Sequence, residues 1–292
     1  MDAGVLPKIT VVTPSFNQAT YLDATIRSVL GQRYPRLEYL IFDARSTDGS
    51  VEVIRRYESE LTFWVSEPDG GQADAINRGF ARATGDIFCW LNSDDFHLAE
   101  TLWRVAALLG PRVHEPLIAY GRCLIFDQDG TRAYVEPTAP HDPERLRRCD
   151  YLVQPSTFWT AAAWRRAGPL DSDLHFAFDW DWFIRALEGC EFLPVTDLLS
   201  AYRIHAAHKT GGGGERRRAE ILTVLRRYSP PKVIEMTEWL RDHPQVWPTM
   251  RQWRHLRWLG FPPSLATALT PRSWMLPPRF PKQHLLDCFN ML

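Results

Sequence analysis

The chain has 292 residues, and its length, composition and charge exclude several classes of protein. Hydrophobic residues make up 45% and charged residues 24% of the sequence, a composition typical of a folded globular protein and not of a disordered or fibrous chain. The 34 Lys and Arg residues balance 35 Asp and Glu residues. This balance lacks the basic excess that is usual in nucleic-acid-binding proteins, and we expect no nucleic-acid partner. The sequence has no run of about 18 apolar residues, so no transmembrane helix is expected.

The five cysteines of the chain are scattered, and none is spaced as Cys-x-x-Cys. They are Cys89, Cys123, Cys149, Cys190 and Cys288. This pattern argues against a disulfide framework and against a zinc site, and it favours reduced thiols. Residues 1–8 lack the basic and then apolar layout of a secretory signal. Both observations predict a cytoplasmic protein.

The first hundred residues alternate between the periodicity of strands and that of helices. Short apolar runs predict strands at residues 9–12, 37–42, 62–65 and 87–91, and apolar side chains at helical spacing lie between them, as over residues 73–83. Helices that separate strands in this rhythm act as crossover connections. The pattern therefore predicts a largely parallel sheet.

Polar clusters follow each of the four predicted strands. They occupy residues 13–17, 43–48, 67–72 and 92–95. In open α/β sheets, ligands bind beyond the carboxyl ends of the strands, and we expect these four clusters to share one binding site. The first cluster contains no glycine, which argues against the glycine-rich dinucleotide turn of an oxidoreductase.

The second half of the fold region mixes strands and helices. Two apolar runs within residues 117–135 flank the turn sequence DQDG at residues 127–130, which is a hairpin signature. Further strands are predicted near residues 154–160 and 198–204, and helices near residues 161–167 and 179–187.

The composition changes after a glycine-rich linker at residues 211–214. Residues 215–292 contain 13 Lys and Arg against six Asp and Glu, a net charge of +7, whereas residues 1–214 carry −8. The tail holds five tryptophans, Trp239, Trp247, Trp253, Trp258 and Trp274. We predict one domain at residues 1–214 and a helical, basic, tryptophan-rich extension at residues 215–292.

Two uses fit this extension. A basic surface that carries tryptophans suits an anionic membrane, which would bring the chain to a lipid-linked partner. The extension also suits a helical lid or a dimer contact that packs its tryptophans. Because no long, clean amphipathic stretch is present, the second use is slightly favoured.

Two adjacent acids, Asp94 and Asp95, follow the fourth predicted strand. Carboxylates together with phosphate oxygens form the ligand set that Mg²⁺ and Mn²⁺ prefer, so the pair is a candidate metal site. The alternative is an N-cap for a helix predicted over residues 97–109, and for the pair taken alone this alternative is the commoner one. After the second strand, Asp43 is the candidate for nucleotide contacts, whereas Asp48 is interpreted as a helix cap.

Two further groups of polar residues are candidates for chemistry. Asp179 and Asp181 lie among tryptophans at a predicted helix start, where burial raises a carboxyl pKa towards the range of a general base; helix capping is the alternative. His205, His208 and Lys209 follow the last predicted strand. Imidazole can bind Mn²⁺ and lysine can meet phosphate, while a solvated loop is the commoner state of such residues.

Taken in order, these segments resemble glycosyltransferase family 2, the inverting nucleotide-sugar transferases of GT-A fold. The segments that carry the resemblance are VVTPSFNQATYLDATIRSVLGQRYPRLEYLIFDARSTDGS, SEPDGGQADAINRGFARATGDIFCWLNSDD, QPSTFW, GPLDSDLHFAFDWDWFIRAL and AYRIHAAHKT. They cover roughly residues 8–210, and the tail lies outside the resemblance. The resemblance implies an α/β fold of GT-A type: a Rossmann-like, mostly parallel sheet flanked by helices, with a C-terminal helical appendage.

The resemblance also implies a donor site built from the polar clusters of the first hundred residues. Its implied members are Thr13, Pro14, Phe16 and Asn17 around the base and ribose, Asp43 at the nucleobase, Asp74 and Asn77 near the donor sugar and ribose, and Arg45, Asn92 and Ser93 at the remaining donor contacts. Two positions depart from the family pattern. Asn92 stands where the first acid of the family's DxD element often lies, and Ala44-Arg45 replaces the common Asp-Gly. Arg45 either contacts the donor or is a solvated surface side chain.

For catalysis, the resemblance implies that Asp179 is the general base and that Asp181 fixes the helix beside it. Asp94 matches the metal-binding acid of the DxD element, and His205 matches a metal or diphosphate contact. A divalent cation, Mn²⁺ or Mg²⁺, is therefore the expected cofactor.

The expected function is inverting transfer of a sugar from a nucleoside-diphosphate sugar to an acceptor hydroxyl, in the biosynthesis of a glycan, polysaccharide or glycoconjugate. UDP is favoured as the donor nucleotide over GDP and dTDP, and the acceptor is a saccharide or a lipid-linked molecule. The expected location is the cytoplasm, with the inner face of the membrane as an alternative if the tail contacts lipid. The alternative function is a non-catalytic nucleotide-sugar-binding or scaffold protein of the same fold.

Overall fold

The structure is a computed structural model that describes residues 6–209, 213–259, 261–270 and 276–292. The described residues fall into two compact units. The first comprises those within Met1–His141 and Leu152–Gly212, and the second comprises those within Asp142–Tyr151 and Gly213–Leu292. Residues 142–151, which the sequence pattern placed with the first domain, thus pack within the second unit.

A mixed sheet forms the centre of the first unit, and the described residues of the unit contain nine strands. The strands are β1 (Ile9–Ser15), β2 (Leu37–Asp43), β3 (Phe63–Ser66), β4 (Ile87–Trp90), β5 (Phe96–His97), β6 (Leu117–Asp127), β7 (Ala133–Glu136), β8 (Thr157–Thr160) and β9 (Glu191–Ile204). Their order is β3-β2-β1-β4-β8-β6-β9-β5, with β7 paired to β6. β1 to β4 are mutually parallel, while β8 runs antiparallel to both of its neighbours.

Helices flank the sheet and form most of the second unit. Those of the first unit are α1 (Ala19–Leu30), α2 (Ser50–Arg55), α3 (Gln72–Arg82), α4 (Thr101–Leu109), α6 (Ala161–Ala167) and α7 (Phe178–Ala186). Those of the second unit are α5 (Pro143–Leu146), α8 (Gly214–Tyr228), α9 (Pro231–Asp242), α10 (Trp247–Trp258), α11 (Pro263–Leu269) and α12 (Lys282–Met291). The predicted α/β class and the helical C-terminal appendage are confirmed.

The parallel half of the sheet owes its stability to strands that are buried on both faces. All seven residues of β1 are buried, as expected for β-branched residues in the centre of a parallel sheet covered by helices. One glycine permits the close packing of α3 on this strand, because a Cβ at Gly79 would lie 2.5 Å from Cγ1 of Val12. A larger residue at this position would push α3 away from the sheet.

The register of the parallel strands aligns their carboxyl ends. Ser15 pairs with Asp43, and Asp43 pairs with Ser66, so β1, β2 and β3 end in one row. The strand ends that the sequence predicted to converge therefore do so, and the polar residues that follow them lie at one edge of the sheet.

The segment after β4 differs from its prediction. Phe96 and His97 pair with Ala201 and Ser200 of β9 as the short strand β5, and α4 begins at Thr101 instead of residue 97. The pairing partner lies about a hundred residues away in the sequence, and for this reason the local periodicity could not reveal it. The predicted hairpin at residues 117–135 is confirmed, with β6 and β7 joined by an antiparallel ladder.

The second unit is held together by a buried carboxylate. Asp287 of α12 is 1% exposed and pairs with Arg145 at 3.3 Å and Arg148 at 3.4 Å. These two arginines belong to residues 142–151, so the ion pairs explain why this segment packs with the C-terminal helices. Breaking a buried pair of this kind leaves an uncompensated charge.

The tryptophans of the second unit pack among its own helices. Trp253 is buried, the ring of Trp239 stacks on His243 with the centroids 4.5 Å apart, and the Trp247 centroid lies 6.1 Å from that of Phe289. Trp274, the Trp258 side chain and residues 211 and 212 of the predicted linker lie outside the described residues. The described tryptophans of the extension therefore contact other residues of the same unit.

A second buried carboxylate joins three segments of the first unit. Glu38 is 4% exposed and accepts hydrogen bonds from Lys8 Nζ at 2.8 Å, from Thr10 Oγ1 at 2.6 Å, and from the amide and hydroxyl of Thr84 at 2.7 and 2.6 Å. Burial favours the neutral acid, but the hydrogen bonds outweigh it and lower the pKa of Glu38 to about 2.

We expect a pH-dependent difference in stability between the wild-type protein and Glu38→Gln. A carboxyl whose folded pKa lies below its unfolded value stabilises the protein above the unfolded pKa, near 4.5, and loses this contribution as the pH falls towards 2. Glu38→Gln should therefore be less stable at pH 7, by about 1–3 kcal/mol, and the gap should close between pH 5 and pH 2. Urea unfolding at several pH values measures the gap. A gap that stays constant over this range would contradict the assignment.

Candidate active site

A cavity of about 870 Å³ lies at the carboxyl ends of the parallel strands. Pro14 and Ser15 at the end of β1, Ala44 after β2, Asp69 after β3 and Asn92 after β4 all contribute to its wall. Further lining residues come from α7, from the loop before it and from the loop after β9. The cavity therefore collects side chains from segments that are far apart in the sequence.

Six of the predicted site residues line this cavity. They are Pro14, Phe16, Asn92, Ser93, Asp94 and Asp179. The remaining predicted residues, Thr13, Asn17, Asp43, Arg45, Asp74, Asn77 and His205, lie behind or beside this wall.

Asp94 and His205 form the closest pair among the predicted site residues. Oδ2 of Asp94 and Nε2 of His205 are 3.0 Å apart, and the two side chains are 18% and 1% exposed. The imidazole packs against Tyr21, with the ring centroids 4.4 Å apart, and its buried Nδ1 has no hydrogen-bond partner among the described residues. The fold thus brings together two potential metal ligands that are 111 positions apart.

The geometry of this pair fits a divalent cation that completes its coordination with substrate oxygens. Oδ2 and Nε2 are at hydrogen-bond distance from each other, and neighbouring ligands of an octahedral ion at about 2.1 Å stand at the same separation of about 3 Å. Within the described part of the chain, no group of three His, Cys, Asp or Glu side chains could hold a metal ion. An ion at this pair would therefore depend on phosphate or water oxygens, as is common for Mg²⁺.

Asp95 has a different environment from its neighbour Asp94. It is 1% exposed, and it accepts hydrogen bonds from the Arg203 amide at 3.0 Å and from Asn92 Nδ2 at 3.3 Å. Burial, together with the charge of Asp94, raises the pKa of Asp95 well above its ordinary value. Neither acid caps α4, because that helix begins only at Thr101.

Asp179 lies in the first turn of α7 and lines the cavity. Its Oδ1 accepts a hydrogen bond from the Trp180 amide at 2.8 Å. Asp181, two residues further along, is buried and accepts a hydrogen bond from Arg185 Nε at 2.9 Å. Of the two acids of α7, Asp179 therefore lines the cavity, whereas Asp181 binds Arg185 one turn further along the same helix.

The predicted nucleobase residues include several that shape the backbone. The carboxylate of Asp43 accepts hydrogen bonds from the Ser46 amide at 2.9 Å, from Ser46 Oγ at 2.5 Å and from Ser66 Oγ at 2.6 Å. Asn17, at φ 51°, accepts a hydrogen bond from the Thr47 amide at 2.9 Å. These contacts fix the loops after β1 and β2 beside the exposed ring of Phe16.

The predicted sugar and ribose residues also have partners within the protein. Asp74 accepts a hydrogen bond from the Gly70 amide at 3.0 Å. Asn77 binds both backbone groups of Leu170, at 2.9 and 2.8 Å. Thr13 shares a 3.0 Å hydrogen bond with the Tyr39 hydroxyl, and Arg45 is exposed at the surface. The Asp74 and Asn77 side chains thus tie α3 to the loops at residues 70 and 170.

Two polar lining residues, Asp69 and Gln72, belong to the predicted cluster at residues 67–72 but were not singled out in the sequence, whereas a third, Lys209, was named there as a possible phosphate contact. Burial raises the pKa of Asp69, and the charges of Asp74 and Asp43 act in the same direction. The sequence Asp69-Gly70-Gly71 predicts a turn after β3 and could have indicated Asp69 as a site residue. In the structure Gly71 has φ 108°, as such a turn requires.

Lys209 is the one Lys or Arg among the described residues that line the cavity. Its Nζ donates to Gln72 Oε1 at 2.6 Å, and Gln72 Nε2 donates to Asn92 Oδ1 at 2.7 Å. The ammonium group also lies over the rings of Phe178 and Phe176, 5.1 and 5.7 Å from their centroids. The Lys209 ammonium group therefore lies between the loop after β4, which carries Asn92 and Asp94, and the start of α7.

The fold and the site together define a class of protein. A parallel half-sheet with helices on its faces, joined to a mixed half-sheet and bearing a carboxylate-lined cavity at its strand ends, is the architecture of a GT-A glycosyltransferase. The chain belongs to glycosyl transferase family 2, whose family model matches residues 10–167. An uncharacterized glycosyltransferase of Mycobacterium tuberculosis is 30% identical over 228 residues, which cover 76% of this chain and 82% of that relative.

Solved structures of glycosyltransferases share the fold. A mannosyltransferase from Pyrobaculum calidifontis, in complex with GDP-Man and Mn²⁺, matches with a TM-score of 0.61 and 18% identity over 98% of this chain and 85% of that one. S. aureus TarS 1–349, in complex with UDP-GlcNAc, matches with a TM-score of 0.55 and 18% identity over 81% and 72% of the two chains. In the described part of the chain, no helix is both long enough and apolar enough to cross a bilayer.

Proposed function

We propose that the protein transfers a sugar from a nucleoside-diphosphate sugar to an acceptor hydroxyl, with inversion at the anomeric carbon, in a metal-dependent reaction. The observation that carries the proposal is that Asp94 and Asp179 line one cavity at the strand ends. His205 contacts Asp94 from behind the cavity wall. The nucleotide sugars bound by two structural neighbours support the donor class.

In this proposal the donor nucleotide lies along the ends of β1, β2 and β3. The ring of Phe16 and the ring of Pro14 offer apolar surface to the base, while Asp43, Asn17 and Thr13 hold the surrounding loops. UDP is favoured as the nucleotide, with GDP and dTDP as the alternatives. Asp74, Asn77, Arg45, Asn92 and Ser93 complete the proposed donor contacts.

Asp94 and His205 are the residues that would hold Mn²⁺ or Mg²⁺. When bound, the cation supplies Lewis-acid stabilisation of the charge that develops on the departing diphosphate. Lys209 adds a protein cation on the same wall, and a charge-assisted contact from its ammonium group to a phosphate oxygen would act in the same direction.

Asp179 is the proposed general base. Its carboxylate would accept the proton of the acceptor hydroxyl while that oxygen attacks the anomeric carbon from the face opposite the diphosphate. The bond between the anomeric carbon and the phosphate oxygen breaks in the same displacement, and the nucleoside diphosphate leaves with its electrons. A single displacement of this kind inverts the configuration and needs no covalent sugar–enzyme species.

Asp179→Asn should lose sugar transfer and keep donor binding. A positioned general base contributes roughly 10²–10⁴ in rate, so the turnover number should fall by about this factor while the affinity for Mn²⁺ and UDP stays within about twofold. Transfer assays and calorimetry measure the two quantities. Asp173→Asn, which changes an exposed acid of the preceding loop, is the matched control, and near-normal turnover in Asp179→Asn would remove this residue from the role.

Asp94→Ala should weaken the metal-dependent part of nucleotide binding. Even residues behind the metal ligands change metal affinity 10- to 100-fold, so we expect a loss of at least ~10-fold in affinity for Mn²⁺ and nucleotide. The wild-type protein is first screened with UDP, GDP and dTDP by thermal shift, and calorimetry then uses the best nucleotide. Glu52→Ala, an exposed acid of α2, is the control, and unchanged affinity in Asp94→Ala would end the metal assignment.

We also propose that the second unit contacts a lipid surface, which suits a lipid-linked acceptor on the cytoplasmic side of a membrane. The large apolar side chains that this unit exposes in its described part are Leu259, Leu265 and Leu269, at 53%, 44% and 48%. Leu265 and Leu269 share one face of α11 by their i, i+4 spacing. The exposed Arg251 and Arg254 of α10 supply positive charge nearby in the chain. The sequence pattern slightly favoured a lid or dimer contact for this extension, and that use becomes an outcome of the test.

The full chain should co-sediment with vesicles that contain anionic lipid and much less with neutral vesicles, and the binding should weaken as salt is raised. A Leu265→Asp/Leu269→Asp variant should lose most of this binding, because it places charge on the apolar face. Leu108→Asp changes an exposed leucine of the first unit and serves as the matched control. Equal sedimentation of both variants, or a dimer in solution that the double variant dissociates, would contradict the membrane proposal.

A further inference from the structure

The loop that carries Asp94 is held by hydrogen bonds to its backbone. Thr25 Oγ1 of α1 donates to the carbonyl oxygens of Ser93 at 3.0 Å and Asp95 at 2.7 Å. The carbonyl oxygen between them, that of Asp94, accepts a hydrogen bond from Arg203 Nε at 3.0 Å. All three consecutive carbonyls are therefore occupied, and the Arg203 bond acts directly on the residue whose carboxylate faces the cavity.

Arg203 contacts the same loop a second time through its own backbone. Its amide donates to Oδ1 of the buried Asp95 at 3.0 Å. Since Arg203 belongs to β9 and His205 follows the end of that strand, one stretch of three residues holds both the backbone of Asp94 and, through Nε2 of His205, its carboxylate.

Aromatic rings surround the guanidinium group of Arg203 and restrict its position. Its central carbon lies 5.0 Å from the ring centroid of Tyr21, 5.0 Å from that of Phe126 and 5.7 Å from that of Phe96. A planar guanidinium can stack on rings and donate along its edge at the same time, which an ammonium group cannot do. Tyr21 also packs against the imidazole of His205, so the ring links the two residues.

We infer that Arg203 is a positioning residue that preorganises Asp94 and His205 for the metal-bound diphosphate, although it lies behind both of them. This inference rests on the proposed role of Asp94 and His205. The physical reason is that the two ligating atoms come from different segments, and their 3.0 Å separation persists only if the loop after β4 is fixed relative to the end of β9. Residues behind metal ligands commonly change metal affinity 10- to 100-fold.

The test compares Arg203→Met and Arg203→Lys with the wild-type protein. For each protein, calorimetry gives the affinity for UDP, or for GDP if the wild-type protein binds it more tightly, once with Mn²⁺ and once with EDTA. The ratio of the two affinities isolates the metal-dependent part of binding. Arg203→Met should lower this ratio by about 10- to 100-fold and leave the EDTA affinity within about twofold, while Arg203→Lys should recover part of the ratio.

Arg132→Met is the matched control, because Arg132 is exposed and also lies over a ring, 5.9 Å from the centroid of Tyr134. Circular dichroism confirms that each variant is folded. A ratio in Arg203→Met within twofold of the wild-type ratio, or an equal fall of both affinities, would overturn the inference. If Asp94→Ala itself keeps the wild-type ratio, the proposed metal site fails instead, so the two failures are distinguishable.

Discussion

The register of four parallel strands is the constraint on which the rest of this molecule depends. Because β1, β2 and β3 are paired in register up to Ser15, Asp43 and Ser66, the chain leaves the sheet at one edge each time. Every polar cluster of the first hundred residues is therefore brought to the same place, where hydrogen bonds such as those from the Thr47 amide to Asn17 and from Gln72 to Asn92 join neighbouring clusters. Burial of the apolar strands supplies the free energy that offsets the conformational entropy lost when these loops are ordered, and this burial does not depend on the site.

The site itself depends on a contrast between neighbouring carboxylates. Asp94 keeps an accessible oxygen beside His205, whereas Asp95 is buried and accepts hydrogen bonds from the protein. Asp179 and Asp181 show the same division on α7. In each case one acid lines the cavity and the other is buried and hydrogen-bonded beside it, which lets a short loop or a single helical turn hold a charged group in a defined position.

The second unit is stabilised by different interactions, namely buried ion pairs and aromatic packing between helices. Its helices are joined to residues 142–151 by the two ion pairs of Asp287, and its described tryptophans pack inside the unit. In the described part of the unit, the large apolar side chains that stay exposed are leucines within residues 259–269. The sequence of this unit also carries an excess of positive charge. Because charge acts over a longer range than apolar contact, this charge would attract an anionic partner before the exposed leucines could touch it.

The sequence by itself determined the α/β class, the bounds of β1 to β4, β8, α3, α6 and α7 to within about three residues, and the convergence of the strand-end clusters. It also supplied the motifs that carry the family resemblance. Local periodicity and turn chemistry carry this information, because they depend on neighbours in the chain. Only the tertiary structure decided that Phe96 and His97 pair with β9, that residues 142–151 join the second unit, and that Arg203 supports Asp94. Each of these depends on a partner more than one hundred residues away in the sequence. Local periodicity reports only on neighbours in the chain and cannot reveal such a partner. The sequence could likewise nominate Asp43 and Asn77 as ligand contacts but could not reveal that their side chains bind Ser66 and Leu170, which lie 23 and 93 residues away.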